Sequence, residues 1–378
     1  MAGLPAAFFL ACSWFWCIGG FFPVLLQQEF GAIAFPVFLV FNVAGAALFG
    51  FIWSNAGRAT FLQRHGRSAQ FFSVLVVGYH LVFMAWISVL LHSALPLLAF
   101  IAVSMTLYTL RQRLTLLAAP VFGVTVLLFV LAISAPLPQP TAGAAATAPF
   151  LHQILPLALG FLLAPCFDLT FHRAFAASSD PRQSFMVGFA LLFTALLGGM
   201  YLAMPVFSQL LTATGLTGTG LHAVVLILAL QTGFTTAAHL RELSETFWSD
   251  RHRALPVILI ALLTGGLLLA TDLVRPEMTF TLGALVYRGF VFMIGVLFPA
   301  ILLFGGWNRQ ALLAMVLLTP CYTLGFLIGG EWAPFLSVAM AILAVLYWVQ
   351  GRAPARRKHG DTTTEKAIET GPEQESRS

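Results

Sequence analysis

Long apolar runs alternate with short polar interruptions along almost the whole chain. A run of about 20 apolar residues can cross a bilayer as a helix. Twelve such runs are counted, here called segments 1 to 12: 5–27, 31–53, 70–92, 94–110, 115–135, 149–171, 185–207, 221–241, 255–274, 283–305, 309–330 and 332–350. Segment 4 is the shortest. Short turns join segments 1 to 2, 3 to 4 and 11 to 12. The runs are too continuous for barrel strands, which alternate over about ten residues. The pattern therefore predicts an all-α polytopic membrane protein, with a membrane domain over 1–351. Beyond it, 352–378 is polar, punctuated by Pro and Gly and without apolar period, and reads as a disordered cytoplasmic tail.

Composition sharpens this reading. Of 378 residues, 59% are apolar and 9% charged, against about 25% charged in a soluble domain. Segment 1 follows no basic stretch and ends in no small-residue cleavage site, so it reads as a retained helix rather than a signal peptide. The net charge of +5 does not point to nucleic acid, because the basic residues sit in short loops and the tail. They orient the chain. With the N-terminus in the cytoplasm, the inner loops carry Arg58, Arg64, Arg67, Arg111, Arg113, Arg173, Arg182, Arg241, Arg251, Arg253 and Arg309, and the tail adds six more. The outer loops carry Arg275 alone, and Arg288 lies near the outer end of segment 10, where it is expected to snorkel to the interface. That asymmetry predicts both termini in the cytoplasm of a cell with an inner, plasma-type membrane, most simply a bacterial one.

Segments 1 and 6 carry break signals. Segment 6 contains Ala164-Pro165, then Asp168, and leads into a basic polar loop. Proline has no N–H and clashes with the carbonyl one turn back, so an acceptor near Phe161 loses its helical partner. In lipid such a carbonyl must be satisfied by protein, water or an ion. Segment 1 is interrupted by Gly19-Gly20 and Pro23. A plan of 5+5+2 segments would make segment 6 the inverted counterpart of segment 1, and paired discontinuous helices are how many carriers build a central site. A simple kink is the plainer alternative for each.

The stretch 149–185 resembles the core of the sodium–solute symporter family, which has the LeuT-type fold. The likeness rests on Pro165 followed by Arg173-Ala174-Phe175-Ala176-Ala177-Ser178-Ser179-Asp180-Pro181-Arg182, with Ser13-Trp14-Phe15-Trp16 and Asn42-Val43 looking like divergent counterparts elsewhere. The resemblance implies a carrier for a small organic solute, driven by Na+ or H+, with no organic cofactor. On the carrier reading a substrate cavity is lined by Trp14, Trp16, Gly19, Gly20, His80, Ala164, Pro165 and Asp168, with plain packing the alternative for Trp14 and Trp16. The resemblance also implies a sodium site between backbone carbonyls near Ala11 and a hydroxyl pair in segment 8. That pair falls at Gln231-Thr232, where Gln231 departs from the family's hydroxyl. Thr235 and Thr236, one turn on, are a second candidate pair.

Other polar residues within the runs are functional candidates by default. Asp168 reads either as an acid paired with His172 or Arg173, or as a proton acceptor or gate. His80 reads as a buried neutral histidine or as a substrate contact. Asn42 is expected to bond between helices. The hydroxyls have a bland alternative, a bond to their own carbonyl four residues back. Cys12, Cys17, Cys166 and Cys321 have no metal-ligand spacing and read as buried thiols. The phenylalanines, 36 in number, read as lipid-facing and core bulk rather than a cofactor box. No nucleophile elbow, zinc motif or phosphate loop is present, so an enzyme is not expected. The competing reading is a non-transporting sensor or partner subunit that keeps the fold without ion coupling. A facilitator of 6+6 plan would want a longer loop than 172–184. Partners beyond solute and bilayer, and the oligomeric state, are not legible.

Overall fold

The computed structural model describes residues 3–15, 17–134, 147–211, 215–246, 263, 265 and 279–352. Trp16, nearly all of segment 9, the stretch 135–146 and the tail beyond 352 lie outside the described residues. Among the described residues every regular element is helical. Among the described residues eight helices are long and apolar enough to cross a membrane, or nine if the bent pair in segment 1 is one span. The protein is an all-α membrane protein.

Segment 1 is two helices, α1 (Leu4–Trp14) and α2 (Cys17–Phe30), and its parts Leu4–Trp14 and Gly19–Phe30 lie at 47° to one another. Segment 2 is α3 (Ala34–Ile52), segment 3 is α4 (Asn55–Leu90), segment 4 is α5 (Leu95–Thr109) and segment 5 is α6 (Leu114–Ser134). Segment 6 comprises α7 (Thr147–Leu163) and a 3-10 turn, Ala164–Phe167. A short helix, α8 (Leu169–Ala177), follows. Segment 7 runs from α9 (Pro181–Met186) through a π-helical stretch, Val187–Phe193, into α10 (Thr194–Leu202); α11 (Met204–Gln209) follows. Segment 8 is α12 (Gly218–Thr246). Segment 10 is α13 (Thr279–Phe292), a π-helical stretch Met293–Leu297 and α14 (Phe298–Leu303). Segments 11 and 12 are α15 (Arg309–Tyr322) and α16 (Pro334–Arg352).

Two boundaries differ from the hydropathy pattern. Segment 3 was expected from residue 70, yet α4 starts at Asn55. Its 36 residues rise about 54 Å at 1.5 Å each, well beyond a ~30 Å hydrocarbon core. Ser54 Oγ caps it by accepting from Gly57 N at 3.0 Å. Arg and Gln are good helix formers, so the helix continues through polar residues that a hydropathy pattern reads as loop. The extension is pinned where Arg64 Nε donates to Gly305 O (3.0 Å) and Trp307 Nε1 donates to Ser68 Oγ (3.1 Å). Segment 1, in turn, unwinds at Phe15 rather than at Gly19-Gly20 or Pro23, which both lie within α2.

Neighbours follow a reciprocal pattern. α1 packs against α6 and the π-helical stretch of segment 7, while α7 packs against α3 and the π-helical stretch of segment 10. α12 packs against α5, α6 and α4. Close approach needs small residues: a Cβ at Gly188 would lie 3.0 Å from Ala7 O, and one at Gly295 would lie 2.7 Å from Pro156 O. The core is aromatic. Phe49 stacks on Phe185 at 5.2 Å and meets Phe171 and His172 edge-on. The phenylalanines are mainly core bulk, with Phe51 exposed and Phe8, Phe41, Phe71, Phe122 and Phe292 partly buried. Most described phenylalanines are buried, and the exposed large apolar side chains are mainly Leu, Val and Ile.

Candidate functional site

The break in segment 6 is built from four successive residues. Pro165 lacks an N–H, so the α7 ladder tightens into the 3-10 turn. Asp168 is extended (φ −78°, ψ 108°) and caps α8, its Oδ1 accepting from Thr170 N at 2.7 Å. Three acceptors at the break, Phe161 O, Pro165 O and Cys166 O, are covered by protein. Asp168 N donates to Pro165 O at 3.1 Å, and His172 Nε2 donates to Cys166 O at 2.9 Å. The Phe161 carbonyl lies against Gly45 of α3 so closely that any Cβ there would overlap it. The freed oxygens were expected to line a cavity for a guest; these three meet backbone or His172 instead.

Asp168 is fully buried. It does not pair with His172 or Arg173. His172 is taken by Cys166, and Arg173 Nε donates to Glu242 Oε1 at 2.5 Å. The facing group is His239 of α12, whose Nε2 lies 3.9 Å from Asp168 Oδ2. His239 Nδ1 is 3.0 Å from Ser73 Oγ of α4, and His80 Nδ1 is 2.8 Å from Thr236 Oγ1. The two helices thus exchange histidine–hydroxyl pairs. Ser73 and His80 are seven residues apart on α4, and Thr236 and His239 are three apart on α12, so each pair shares a helix face.

A second polar cluster joins α12 to α1 and α6. Gln231 Nε2 donates to Thr125 Oγ1 (2.6 Å) and approaches Cys12 Sγ (3.9 Å). Thr235 Oγ1 is 3.2 Å from Cys12 O and 3.0 Å from Gln231 O, sharing its proton between them. The carbonyl that Thr235 of α12 meets on α1 is that of Cys12, next to Ala11. Thr235 does make the bland bond to its own helix. Gln231 Oε1 and Thr232 Oγ1 are buried and accept no hydrogen bond among the described residues.

The remaining candidates are placed as follows. Trp14 is buried, donates from Nε1 to Asn42 Oδ1 at 2.6 Å and rests on Phe171 at 4.9 Å. That contact brings α1 beside α8, so the two broken segments are neighbours. Gly19 and Gly20 abut Phe15, Phe193 and Leu228. Ala164 and Pro165 form the 3-10 turn against α4. A cavity of about 10 Å³ lies between Tyr79, Phe83 and Trp86 of α4 and Gly283 and Val286 of α13.

Ion pairs stand at opposite ends of the molecule. At the α12 C-terminus, Glu242 also meets Arg241 at 3.0 Å, and Arg241 lies over the Phe9 ring of α1. At the other end Glu29 of α2 meets Arg288 of α13 at 2.7 Å. Arg288 also donates to Phe326 O at 2.9 Å and Leu327 O at 3.3 Å, so protein acceptors hold its head group.

Sequence reasoning missed Ser73, Thr125, Glu29, His239 and Glu242. The i, i+3 spacing of Thr236 and His239 was the available signal for the first cluster. Among the described residues no three His, Cys, Asp or Glu side chains gather to hold a metal ion. No protein-family model matches the chain, and no curated protein matches it at significant similarity.

Proposed function

We propose that this protein is a secondary active transporter of LeuT-type architecture, similar to sodium–solute symporters, that moves a small organic solute by alternating access. One observation carries the reading: segments 1 and 6 are both discontinuous, and they lie side by side where α1 meets α8. In carriers built from inverted repeats, such paired breaks mark the central site. The neighbour pattern supports a 5+5 repeat within a twelve-segment plan. Segment 1 packs on segments 5 and 7, and segment 6 packs on segments 10 and 2, which are their counterparts under that repeat. Trp14, Gly19, Gly20, His80, Ala164, Pro165 and Asp168 would then surround or support the solute path. The ion pairs Arg173–Glu242 and Glu29–Arg288 would close its cytoplasmic and outer ends. Both termini would be cytoplasmic, as the basic loops require.

The test is counterflow into proteoliposomes across a panel of labelled amino acids, sugars, nucleosides and organic acids. Uptake of one class, reduced at least tenfold by Pro165→Ala, is the expected result. Absence of uptake for every class sinks the carrier reading. One observation favours the alternative, a sensor or partner subunit of the same fold without ion coupling. The Gln231 amide occupies the α1–α12 junction where the family resemblance implies an ion. Capture of a partner through the tail, with no counterflow, would establish that alternative.

A further inference from the structure

Resting on the transporter reading, we infer that the coupling ion is a proton and that it binds between Asp168 and His239, with Ser73 holding the imidazole. Asp168 Oδ1 is committed to Thr170 N, and Oδ2 accepts no hydrogen bond among the described residues although the residue is fully buried. An unpaired buried carboxylate oxygen is costly. Opposite it stands a ring nitrogen 3.9 Å away, too far for a hydrogen bond. His239 is buried as well. In the tautomer that donates from Nδ1 to Ser73 Oγ, Nε2 is a bare lone pair facing a bare carboxylate oxygen. A single proton drawn from water then forms one new bond, O–H or N–H. It turns an isolated charge into a neutral acid beside imidazole, or into a carboxylate–imidazolium pair. The donor is hydronium, whose O–H bond breaks to leave water, and no other bond changes.

The location couples this event to the fold. Asp168 is the extended residue between the 3-10 turn and α8, so drawing its carboxyl toward α12 moves the cap of α8 and the break with it. The surrounding ionisable groups are few. From α4 come His80, bonded to Thr236, and His65, packed on Phe167; the 3-10 turn carries the buried Cys166 thiol; from α8 come His172, bonded to Cys166 O, and Arg173, paired with Glu242. α1 offers the Cys12 thiol, bonded to Ala118 O, and the turn at Arg111–Arg113 receives Arg241 through the Arg111 carbonyl. Arg241 and Glu242 lie on α12 itself and contact each other. The face of α12 toward α1 and α6 holds no such pair, because Gln231 fills it with an uncharged amide.

The experiment is proton uptake by the purified full-length protein, read with a pH indicator in weakly buffered detergent as pH is stepped between about 5 and 8, where histidine-linked sites respond. Asp168→Asn keeps the cap on Thr170 N and removes the acid. His239→Gln keeps a partner for Ser73 and removes the base. Each variant is expected to bind about one proton fewer than the parent, while Ser73→Ala shifts the midpoint and Thr319→Val, on the exposed face of α15, changes nothing. Size-exclusion profiles establish that each variant is folded. In liposomes on a solid-supported membrane, a pH step should displace charge in the parent and at least tenfold less in the two variants. Unchanged proton uptake in both variants overturns the inference. So does a charge displacement driven by a sodium step and abolished by Thr232→Val. If uptake is lost in both variants but no solute shows counterflow, the proton site stands and the transporter reading alone falls.

Discussion

The two buried faces of α12 are made from similar helical spacing and behave differently. Toward α1 and α6 it presents Gln231 and Thr235, an uncharged amide and a hydroxyl whose donors are taken by Thr125, Cys12 O and the helix's own backbone. Toward α4 and α8 it presents Thr236 and His239, and there a histidine and a carboxylate stand apart by 3.9 Å. The first face is a fastener, since its principal donors already have acceptors. The second keeps two oppositely suited groups just beyond hydrogen-bonding distance. Polarity inside a membrane is therefore not one signal. Both faces leave buried acceptors unmatched, but on the first these are the uncharged Gln231 Oε1 and Thr232 Oγ1, whereas on the second a carboxylate oxygen stands opposite a basic ring nitrogen, and that difference separates holding the scaffold together from binding something further.

Four measurements bear on this contrast. The largest effect is expected at the break that presents Asp168. Gly45→Val would force a side chain onto the Phe161 carbonyl, and overpacking of that kind should cost about 3 kcal/mol of stability in detergent melting. An unchanged melting curve would mean that the carbonyl has room for water or a ligand. Next, Asp168→Ala should lose about 1–2 kcal/mol because α8 loses its cap, with Asp168→Asn restoring most of it. Equal losses in the two variants would assign the cost to charge rather than to capping.

On the fastening face, a double-mutant cycle with Gln231→Leu and Thr125→Val should give a coupling of about 0.6 kcal/mol and no more than about 1.7, the range for hydrogen bonds between membrane helices. A coupling indistinguishable from zero would remove the amide as a tie between α6 and α12. The smallest effect is expected from the salt. Replacing potassium with sodium should leave the melting temperature unchanged. A sodium site filled at 100 times its dissociation constant would add about 2.7 kcal/mol. A sodium-specific rise would show that the orphaned Gln231 Oε1 and Thr232 Oγ1 take a cation after all, and would reverse the roles given to the two faces.

Much of the fold was legible because bilayer thickness imposes a length on each apolar run. The interruption at Pro165 was legible for a similar reason: a ring without an N–H has one local consequence wherever it sits. Segment 1 was harder. Its glycines and Pro23 pointed to a break that the helix in fact runs through, while the unwinding falls at Phe15, which carries no breaker. Trp14 pairs there with Asn42 from 28 residues away, and a partner of that kind leaves no local mark. His239 was missed because a lone histidine near a helix end resembles an interfacial one, and only Asp168 and Ser73 distinguish it. The partners of Arg288 were hidden for the same reason, since its acceptors lie on α2 and the π-helical stretch at Thr323–Ile328.

By itself, then, the sequence determined an all-α membrane protein with a discontinuity at Pro165 and a set of polar residues that a bilayer would not tolerate without cause. These follow from hydropathy and backbone chemistry, which act within a few residues of the chain. Tertiary structure alone decided which oxygens met which donors: that the Phe161 carbonyl is packed against Gly45, that Gln231 reaches Thr125, and that Asp168 faces His239. Those pairings join residues about 70 to 120 positions apart, and their energies depend on ångström-scale distances that no local pattern encodes.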